Sequence, residues 1–253
     1  MRLGLGPINL RGATRTQLLS LAEQAVSSSF DGVWVAESRS DGAGGALAAA
    51  AMIAQTVPIR VGAAVDAGLY HPLHLAEDIA VADLATQGRI DVLVRLRAPL
   101  ERDLFEEHLR VLAAALSGAH IRWTGRHLRV PAHLEANQPA PDRLALNPRP
   151  AQPAVPIWIE CTEEWMEALA RDIGFGVAAR WEPNAKAPHP SGRWPGLLLC
   201  RPDVDVHELL SAAGDQAAYF VVGANTPDEV RAVGARLVGP LRMPEFPEWM
   251  MHD

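Results

Sequence analysis

Short apolar runs alternate with longer segments of helical period through the first half of the chain, and this alternation constrains the fold more than any other feature. The apolar side chains at positions 18, 21, 22, 25 and 26, for example, recur at the spacing of one helix face. A strand followed by a helix, repeated along a chain, builds βα units and a parallel sheet. The runs in this half that we interpret as strands are residues 3–6, 33–36, 59–65 and 90–96.

The second half continues the pattern with one interruption. We predict a small hairpin over residues 121–130, followed by strands at residues 157–160, 177–179, 197–200 and 219–222. Residues 181–195 carry four prolines, so the crossover helix expected after the sixth barrel strand is predicted to be absent or replaced by a loop. Repeated right-handed βα units with eight strands close most simply into a (β/α)8 barrel of the TIM type. A doubly wound open sheet is the competing architecture.

Length, composition and charge narrow the class of protein. A chain of 253 residues, 49% hydrophobic and 21% charged, fits one barrel domain over residues 1–253. The formal net charge of −7 leaves no basic field for a phosphate backbone, so we expect no nucleic-acid partner. The two cysteines, Cys161 and Cys200, form neither a disulfide framework nor a CxxC pair, which favours a reducing cytoplasm. No apolar run reaches the length of a membrane span, and the first residues lack the apolar region of a signal peptide, so we expect neither a membrane protein nor a classically secreted one.

Histidines and tryptophans in this sequence invite functional hypotheses that the spacing does not support. His71 and His74 stand three residues apart without a third ligand at helical spacing, and there is no HExxH motif, so we predict no metal site. His71 precedes Pro72 at a strand-to-helix junction, where its expected role is to fix the turn. Trp34 and Trp158 lie in apolar strands and are predicted to belong to the barrel core.

An ordered set of segments resembles the bacterial luciferase-like family of flavin-dependent monooxygenases. Each segment is a weak signal alone, but their order and spacing match over most of residues 1–95. A second block resembles the fifth strand of the family with its following turn, and a third resembles its last strand and helix. The matching segments are residues 30–37, 59–65, 71–78, 83–89, 156–165 and 223 onward.

The resemblance implies a barrel that binds reduced FMN, or the deazaflavin F420 in a sister branch, at the carboxyl ends of the strands. It places a non-proline cis peptide bond at about Ala64–Val65, beneath the flavin ring. It also implies a turn that grips the flavin phosphate at Glu160, Cys161 and Thr162, where a helix N-terminus would present backbone N–H groups to the anion. The alternative is that Thr162 only caps the following helix. Glu160-Cys161 resembles the FMN branch more than the glycine pair that is frequent in the F420 branch.

Two motifs and one loop of this sequence depart from the family pattern. Ser38 follows Glu37 where the luciferase branch has an important histidine, and a hydroxyl cannot replace an acid or base whose pKa lies near neutrality. Arg95 and Arg97 stand where the family has a glycine-flanked arginine that helps to bind the cofactor, but the glycines are missing. Either arginine is expected to reach a phosphate or, equally, to pair with a nearby carboxylate. The loop that follows is reduced to residues 98–102, so the chain resembles a shortened member of the family.

Three functional hypotheses follow. The first is a flavin-dependent monooxygenase or oxidoreductase that acts on a small organic substrate with O2 and with reduced FMN from a separate flavin reductase. The second is a non-catalytic, flavin-poor barrel subunit that stabilises a full-length partner, and the third is an F420-dependent oxidoreductase. Since the family dimerises through the early part of the barrel, we expect a homodimer or a heterodimer with a paralogous barrel subunit. The alanine run at residues 46–51 is expected to pack tightly on the barrel or across that interface.

Overall fold

Eight parallel strands close into a barrel in the computed structural model, which describes residues 1–37, 45–96, 101–131, 145–182 and 186–242. The strands, in chain order, are β1 (Arg2–Asn9), β2 (Gly32–Ala36), β3 (Arg60–Asp66), β4 (Ile90–Arg95), β5 (Trp123–Thr124), β6 (Arg129–Val130), β7 (Ile157–Glu160), β8 (Gly176–Arg180), β9 (Gly196–Cys200) and β10 (Ala218–Val222). The helices are α1 (Arg15–Ser27), α2 (Gly45–Thr56), α3 (Pro72–Ala85), α4 (Arg102–Leu116), α5 (Glu164–Asp172), α6 (Val206–Ala213) and α7 (Pro227–Arg242). Around the barrel the strands follow the order β1-β10-β9-β8-β7-β4-β3-β2.

Closure of the sheet confirms the predicted (β/α)8 barrel and excludes the open sheet, because β1 pairs in parallel with both β2 and β10. The hairpin is confirmed as the antiparallel pair β5 and β6. The described residues between β8 and β9 contain no helix, as the prolines predicted. β1 is longer than the predicted strand because it continues past Pro7, where its register with β2 shifts. Among the described helices, none is both long and apolar enough to cross a membrane.

Local sequence signals fix where three helices begin. Thr14 and Gln17 form a capping box at the start of α1, the pairing expected of a threonine with a glutamine three positions further along the chain. The Nδ1 atom of His71 accepts a hydrogen bond from the backbone N–H of Leu73 at 3.3 Å, so His71 caps α3 and fixes the turn before Pro72. Thr226 accepts from the N–H group of Glu229 at the start of α7. The helix starts are thereby set by short-range bonds on the outside of the barrel.

Three large aromatic side chains fill the barrel interior. Trp34 and Trp158 are fully buried, which confirms their assignment to the core, and Tyr219 packs edge-on against both rings. The indole N–H of Trp34 donates to the Tyr219 hydroxyl at 2.9 Å, and that of Trp158 donates to the carbonyl oxygen of Pro195 at 2.8 Å. Each buried polar atom of the two indoles therefore has a partner, as burial of such groups requires.

Glycines on the neighbouring strands make room for the two indoles. A Cβ atom at Gly62 would lie 2.0 Å from Cδ2 of Trp34, and one at Gly176 would lie 2.4 Å from Cδ1 of Trp158. Both distances are far below van der Waals contact, and the neighbouring atoms belong to rigid rings in a closed core. In the interior, each of these two indole rings thus packs against a glycine on an adjacent strand.

Gly62→Ala tests this packing. Because the new methyl group would displace a buried indole, we expect the free energy of unfolding to fall by at least about 3 kcal/mol. Gly45→Ala at the start of α2 is the matched control, since the nearest neighbour of a Cβ atom there is Cδ1 of Leu10 at 3.6 Å, an ordinary van der Waals contact. Alanine should leave the free energy of unfolding unchanged or raise it by up to about 1 kcal/mol. Urea unfolding followed by tryptophan fluorescence measures both, and equal effects of the two variants would contradict the packing argument.

A polar network closes the amino end of the barrel. The Nε atom of Arg60 donates to both carboxylate oxygens of Asp91, at 2.9 and 3.0 Å. Burial raises the pKa of Asp91, and the Arg60 partner opposes that rise. Gln152 accepts from Arg60 at 3.1 Å and donates twice to the buried carboxylate of Asp83, at 2.7 Å each. The segment that leads into β7 is in this way fastened to β3, β4 and α3.

His108 lies buried on the inner face of α4, and its Nε2 atom has no hydrogen-bond partner among the described residues. Burial lowers the pKa of His108 to about 4, and the neighbouring His71 contributes in the same direction. The unfolded chain takes up a proton at the ordinary value near 6.5, whereas the folded chain does so only near 4. Stability that is present at neutral pH is therefore lost as the pH falls through that interval.

We expect acidification from about pH 7 to about pH 4 to remove about 3 kcal/mol of stability through this histidine alone. His108→Phe should flatten the pH dependence of the free energy of unfolding over the same interval, because phenylalanine keeps the apolar contacts and does not titrate. The exposed His120→Gln variant serves as the control and should retain the slope of the unmodified protein. Parallel slopes for the unmodified protein and His108→Phe would show that another group governs acid unfolding.

Candidate active site

A cavity of about 280 Å³ opens at the carboxyl ends of the barrel strands, the end where active sites of such barrels lie. Residues at the ends of β4, β7, β8 and β9, together with one residue of β1, form its wall. The residues that line it are Pro7, Leu93, Arg95, Glu160, Arg180, Trp181, Leu199, Cys200 and Arg201. In the described part of this wall there are three guanidinium groups, one carboxylate and no histidine. The cavity is thus suited to an anionic group beside an apolar body.

Arg95 ends β4 and points into the barrel, where it is only 2% exposed. Its Nη2 atom donates to the backbone carbonyl oxygens of Glu37 and Ala64, at 3.1 Å each. These carbonyls belong to the carboxyl ends of neighbouring strands, so one guanidinium ties β2, β3 and β4 together. The family resemblance implied that Arg95 or Arg97 binds the cofactor. The structure brings Arg95 to the cavity, and Arg97 lies outside the described residues.

Glu37 follows β2 and is buried, with 4% of its surface exposed. Its carboxylate accepts from the backbone N–H of Asp66 at 3.1 Å and from the hydroxyl group of Tyr70. The carboxylate is therefore held from the end of β3 and the turn that follows. Ser38, which stands at the histidine position of the family, lies outside the described residues.

Glu160 and Arg180 form an ion pair across the ends of β7 and β8. The carboxylate of Glu160 is 6% exposed and accepts from Nε of Arg180 at 2.5 Å, while the arginine side chain is 64% exposed. A single hydrogen bond to Nε leaves the two terminal nitrogens of the guanidinium directed elsewhere. Arg201 pairs instead with Asp203 and Glu208, at 3.0 and 2.9 Å. Arg180 is consequently the most accessible donor in the wall.

The predicted phosphate turn is only partly present at the cavity. Glu160 lines it, but Cys161 and Thr162 do not. The N–H of Cys161 donates to the carbonyl oxygen of Ala178 in the sheet at 2.8 Å, and its side chain packs on the outer core. Thr162 is exposed and its hydroxyl group faces the sulfur of Met166 at 3.5 Å. The capping alternative for Thr162 is wrong, because the N-cap of α5 is Glu163, without a side-chain capping bond.

The prediction of a cis peptide bond at Ala64–Val65 is also wrong. The cis bonds of the described residues all precede proline. β3 remains regular at this point, with Ala64 opposite Leu93 and Val65 opposite Val94 on β4. Ala64 faces the barrel interior, whereas Val65 packs outward beneath the helices. The uninterrupted pairing with β4 is that of an ordinary extended strand.

Arg180, Trp181 and Arg201 are site residues that the sequence analysis missed. Ala178 faces the barrel interior, so the alternation of a strand places Arg180 on the same inner face two residues later. That period-two signal was present in the sequence at the end of β8. Trp181 contributes a buried Nε1 atom that has no partner among the described residues. The described residues contain no group of three His, Cys, Asp or Glu side chains that could hold a metal ion.

The two thiol groups near the cavity, of Cys161 and Cys200, are partly or fully buried. Burial raises the pKa of both Cys161 and Cys200 to about 12. Because the thiolate is the reactive form, we expect each thiol of the folded protein to react with a disulfide reagent at least about a hundredfold more slowly than free cysteine. The same protein in concentrated urea is the control and should release two equivalents rapidly. A fast-reacting thiol in the folded protein would contradict this assignment.

Comparison with known proteins identifies the family. The model of the luciferase-like monooxygenase family matches residues 5–188, whereas no curated protein matches the chain. The solved structure of the monooxygenase RslO1 from Streptomyces bottropensis is 16% identical, with 95% of this chain and 100% of that chain covered and a TM-score of 0.64. An F420-dependent secondary alcohol dehydrogenase in complex with an F420-acetone adduct is 12% identical, with coverages of 94% and 98% and a TM-score of 0.69.

A third structure holds FMN. It is the oxygenating constituent of 3,6-diketocamphane monooxygenase from Pseudomonas putida, a type II Baeyer-Villiger monooxygenase, which is 19% identical, with coverages of 72% and 57% and a TM-score of 0.53. At such identities the structures share the fold with this chain, while the family model matches most of its length. The barrel, the position of its cavity and the match over residues 5–188 agree, and the chain belongs to the luciferase-like monooxygenase family.

Proposed function

We propose that this protein is a flavin-dependent monooxygenase that acts on a small organic substrate with O2 and reduced FMN. The observation that carries the proposal is the cavity at the carboxyl end of the barrel, whose described wall combines three guanidinium groups with apolar side chains. Membership of the luciferase-like monooxygenase family supplies the reaction class. A separate flavin reductase would provide the reduced cofactor.

The donor set fits a flavin phosphate. Guanidinium groups bind phosphate oxygens through short, charge-assisted hydrogen bonds. Arg180 has terminal nitrogens beyond the one that holds Glu160, and Arg95 lies in the same wall, so these two arginines are the residues that would hold the phosphate. The buried Nε1 of Trp181, without a partner in the described chain, is a donor that a ligand carbonyl or ring nitrogen would satisfy.

The residues of this chain would bind the flavin, orient it and shield the cavity from water. A bound reduced FMN supplies the electrons with which O2 is activated. Leu93 and Leu199 offer apolar surface that keeps water from one side of the cavity, which matters because oxygen chemistry on flavins requires a shielded site. The hydroxyl group of Tyr70 donates to the carboxylate of Glu37 at the rim of the same barrel end. Arg95 fixes the ends of β2, β3 and β4 and keeps this wall in place.

One observation favours the second candidate, a flavin-poor barrel subunit without catalysis. Each charged group in the cavity wall already has partners within the chain, since Glu160 holds Arg180, acidic side chains hold Arg201, and backbone carbonyls hold Arg95. Under this alternative the barrel would stabilise a paralogous subunit. Val81 and Leu84 on α3 are 52% and 44% exposed, and they offer apolar surface to such a partner or to a second copy of the chain.

Anaerobic titration with reduced FMN, oxidised FMN, riboflavin and F420 tests the proposal. We expect saturable binding of reduced FMN, and an affinity for FMN above that for riboflavin by about tenfold, the value of one charge-assisted bond. Arg180→Gln should remove that preference. Arg171→Gln on α5 is the matched control, because this arginine pairs with Glu167 outside the cavity. The double variant Glu160→Gln with Arg180→Gln avoids a buried carboxylate without a partner and should behave as Arg180→Gln does.

The outcomes separate the hypotheses. Tighter binding of F420 than of FMN would replace the monooxygenase with an F420-dependent oxidoreductase. No saturable binding of any flavin, in a protein that remains folded, would overturn the enzyme and support the flavin-poor subunit. Equal affinities for FMN and riboflavin in the unmodified protein would contradict the assignment of the arginines to the phosphate.

A further inference from the structure

A second cavity, of about 290 Å³, lies at the amino end of the barrel, opposite the candidate active site. It is bounded by the starts of β1 and β10 and by the connection that enters β9. Arg2, Arg193, Trp158 and Trp194 give it its chemical character. The interior layer of Trp34, Trp158 and Tyr219 separates it from the cavity at the carboxyl end. Nothing in the proposed function requires this cavity.

Two indoles form a fixed apolar wall. The rings of Trp158 and Trp194 lie 6.0 Å apart between centroids, with an angle of 51° between their planes. Trp158 is held by the bond from its indole N–H to the carbonyl oxygen of Pro195. Trp194 is held by two backbone hydrogen bonds with Ser191, each 3.0 Å long. Trp158 is fully buried, so the partly exposed ring of Trp194, packed against it, is the preformed aromatic surface that a planar ligand would meet.

The charged side chains that line this cavity are all positive. Arg2 and Arg193 line it, and no Asp or Glu residue does so among the described residues. Neither arginine forms an ion pair within the described chain, and the guanidinium carbon of Arg193 lies over the Trp194 ring, 5.0 Å from its centroid. The nearby Asp91 is committed to Arg60, and Asp31 accepts from the backbone N–H of Leu3. The positive charge of the cavity is therefore not neutralised by its own wall.

From this combination we infer that the amino-end cavity binds a small planar anion, an aromatic ring that bears a carboxylate or phosphate group. The ring would pack against the partly exposed Trp194, and the anionic group would accept hydrogen bonds from the guanidinium groups of Arg2 and Arg193, which suit planar oxyanions. A volume of about 290 Å³ accommodates a ligand of one or two fused rings. The site is distinct from the candidate active site.

Calorimetric titration of the full chain with 2-naphthoate tests the inference. We expect saturable binding, weakened about tenfold by Arg193→Gln and by Arg2→Gln, since each removes one charge-assisted bond. The neutral isostere 2-naphthamide should bind at least about tenfold more weakly to the unmodified protein. Arg180→Gln at the opposite end is the matched control and should leave the affinity for 2-naphthoate unchanged. Arg2 and Arg193 are exposed and form no ion pair within the described chain, so these two variants are expected to unfold at the urea concentration of the unmodified protein, and the Arg180→Gln control is titrated under conditions in which it remains folded.

A parallel titration with adenosine monophosphate distinguishes the two sources of negative charge. Tighter binding of the nucleotide than of 2-naphthoate, sensitive to the same two substitutions, assigns the site to an aromatic phosphate, and the reverse order assigns it to an aromatic carboxylate. Absence of saturation by both probes overturns the inference. So does binding that Arg180→Gln weakens and Arg193→Gln does not, because the probe would then occupy the candidate active site. Loss of flavin binding with retained 2-naphthoate binding would refute the proposed function alone.

Discussion

The packing of two indole rings against two glycine residues inside the barrel is the constraint on which the rest of the structure depends. A small eight-stranded barrel must be filled by its own inward side chains, and here Trp34, Trp158 and Tyr219 occupy most of that space. The glycines at positions 62 and 176 are required because any Cβ atom would overlap an indole ring. This filling fixes the strand register, and the register decides which residues reach each end of the barrel.

From that register follows the distribution of charge at the carboxyl end. Inward positions repeat every two residues, so the layer above Leu93, Trp158 and Ala178 consists of Arg95, Glu160 and Arg180. Burying Arg95 and Glu160 without partners would be costly, and the structure meets that cost with carbonyl groups of adjacent strands and with the exposed Arg180. The cavity is thus both a candidate ligand site and part of the lock that closes the barrel.

The barrel could be predicted from the sequence because its elements carry strong local signals. Apolar runs, helix caps such as Thr14 and the prolines after β8 each act within a few residues, and the structure confirms them. The site was harder to predict because it depends on orientation. Glu160 faces inward and Cys161 therefore faces outward, so a motif carried over as three consecutive residues could not all reach one cavity. The alternation that excluded Cys161 also pointed to Arg180, two residues beyond the inward Ala178.

Replacement of one crossover helix by a proline-rich connection links the two ends of the molecule. β8 ends at the carboxyl end and the parallel β9 begins at the amino end, so the connection must run the length of the barrel. It passes α6, where the N–H of Ala187 donates to the carbonyl oxygen of Ala212, and it lies so close to β9 that a Cβ atom at Gly196 would meet the carbonyl oxygen of Pro188 at 1.8 Å. A helix would have covered the outside of these strands with apolar side chains. The connection instead starts with Trp181 at one cavity and delivers Arg193 and Trp194 to the other, so the same departure from a regular barrel shapes both binding surfaces.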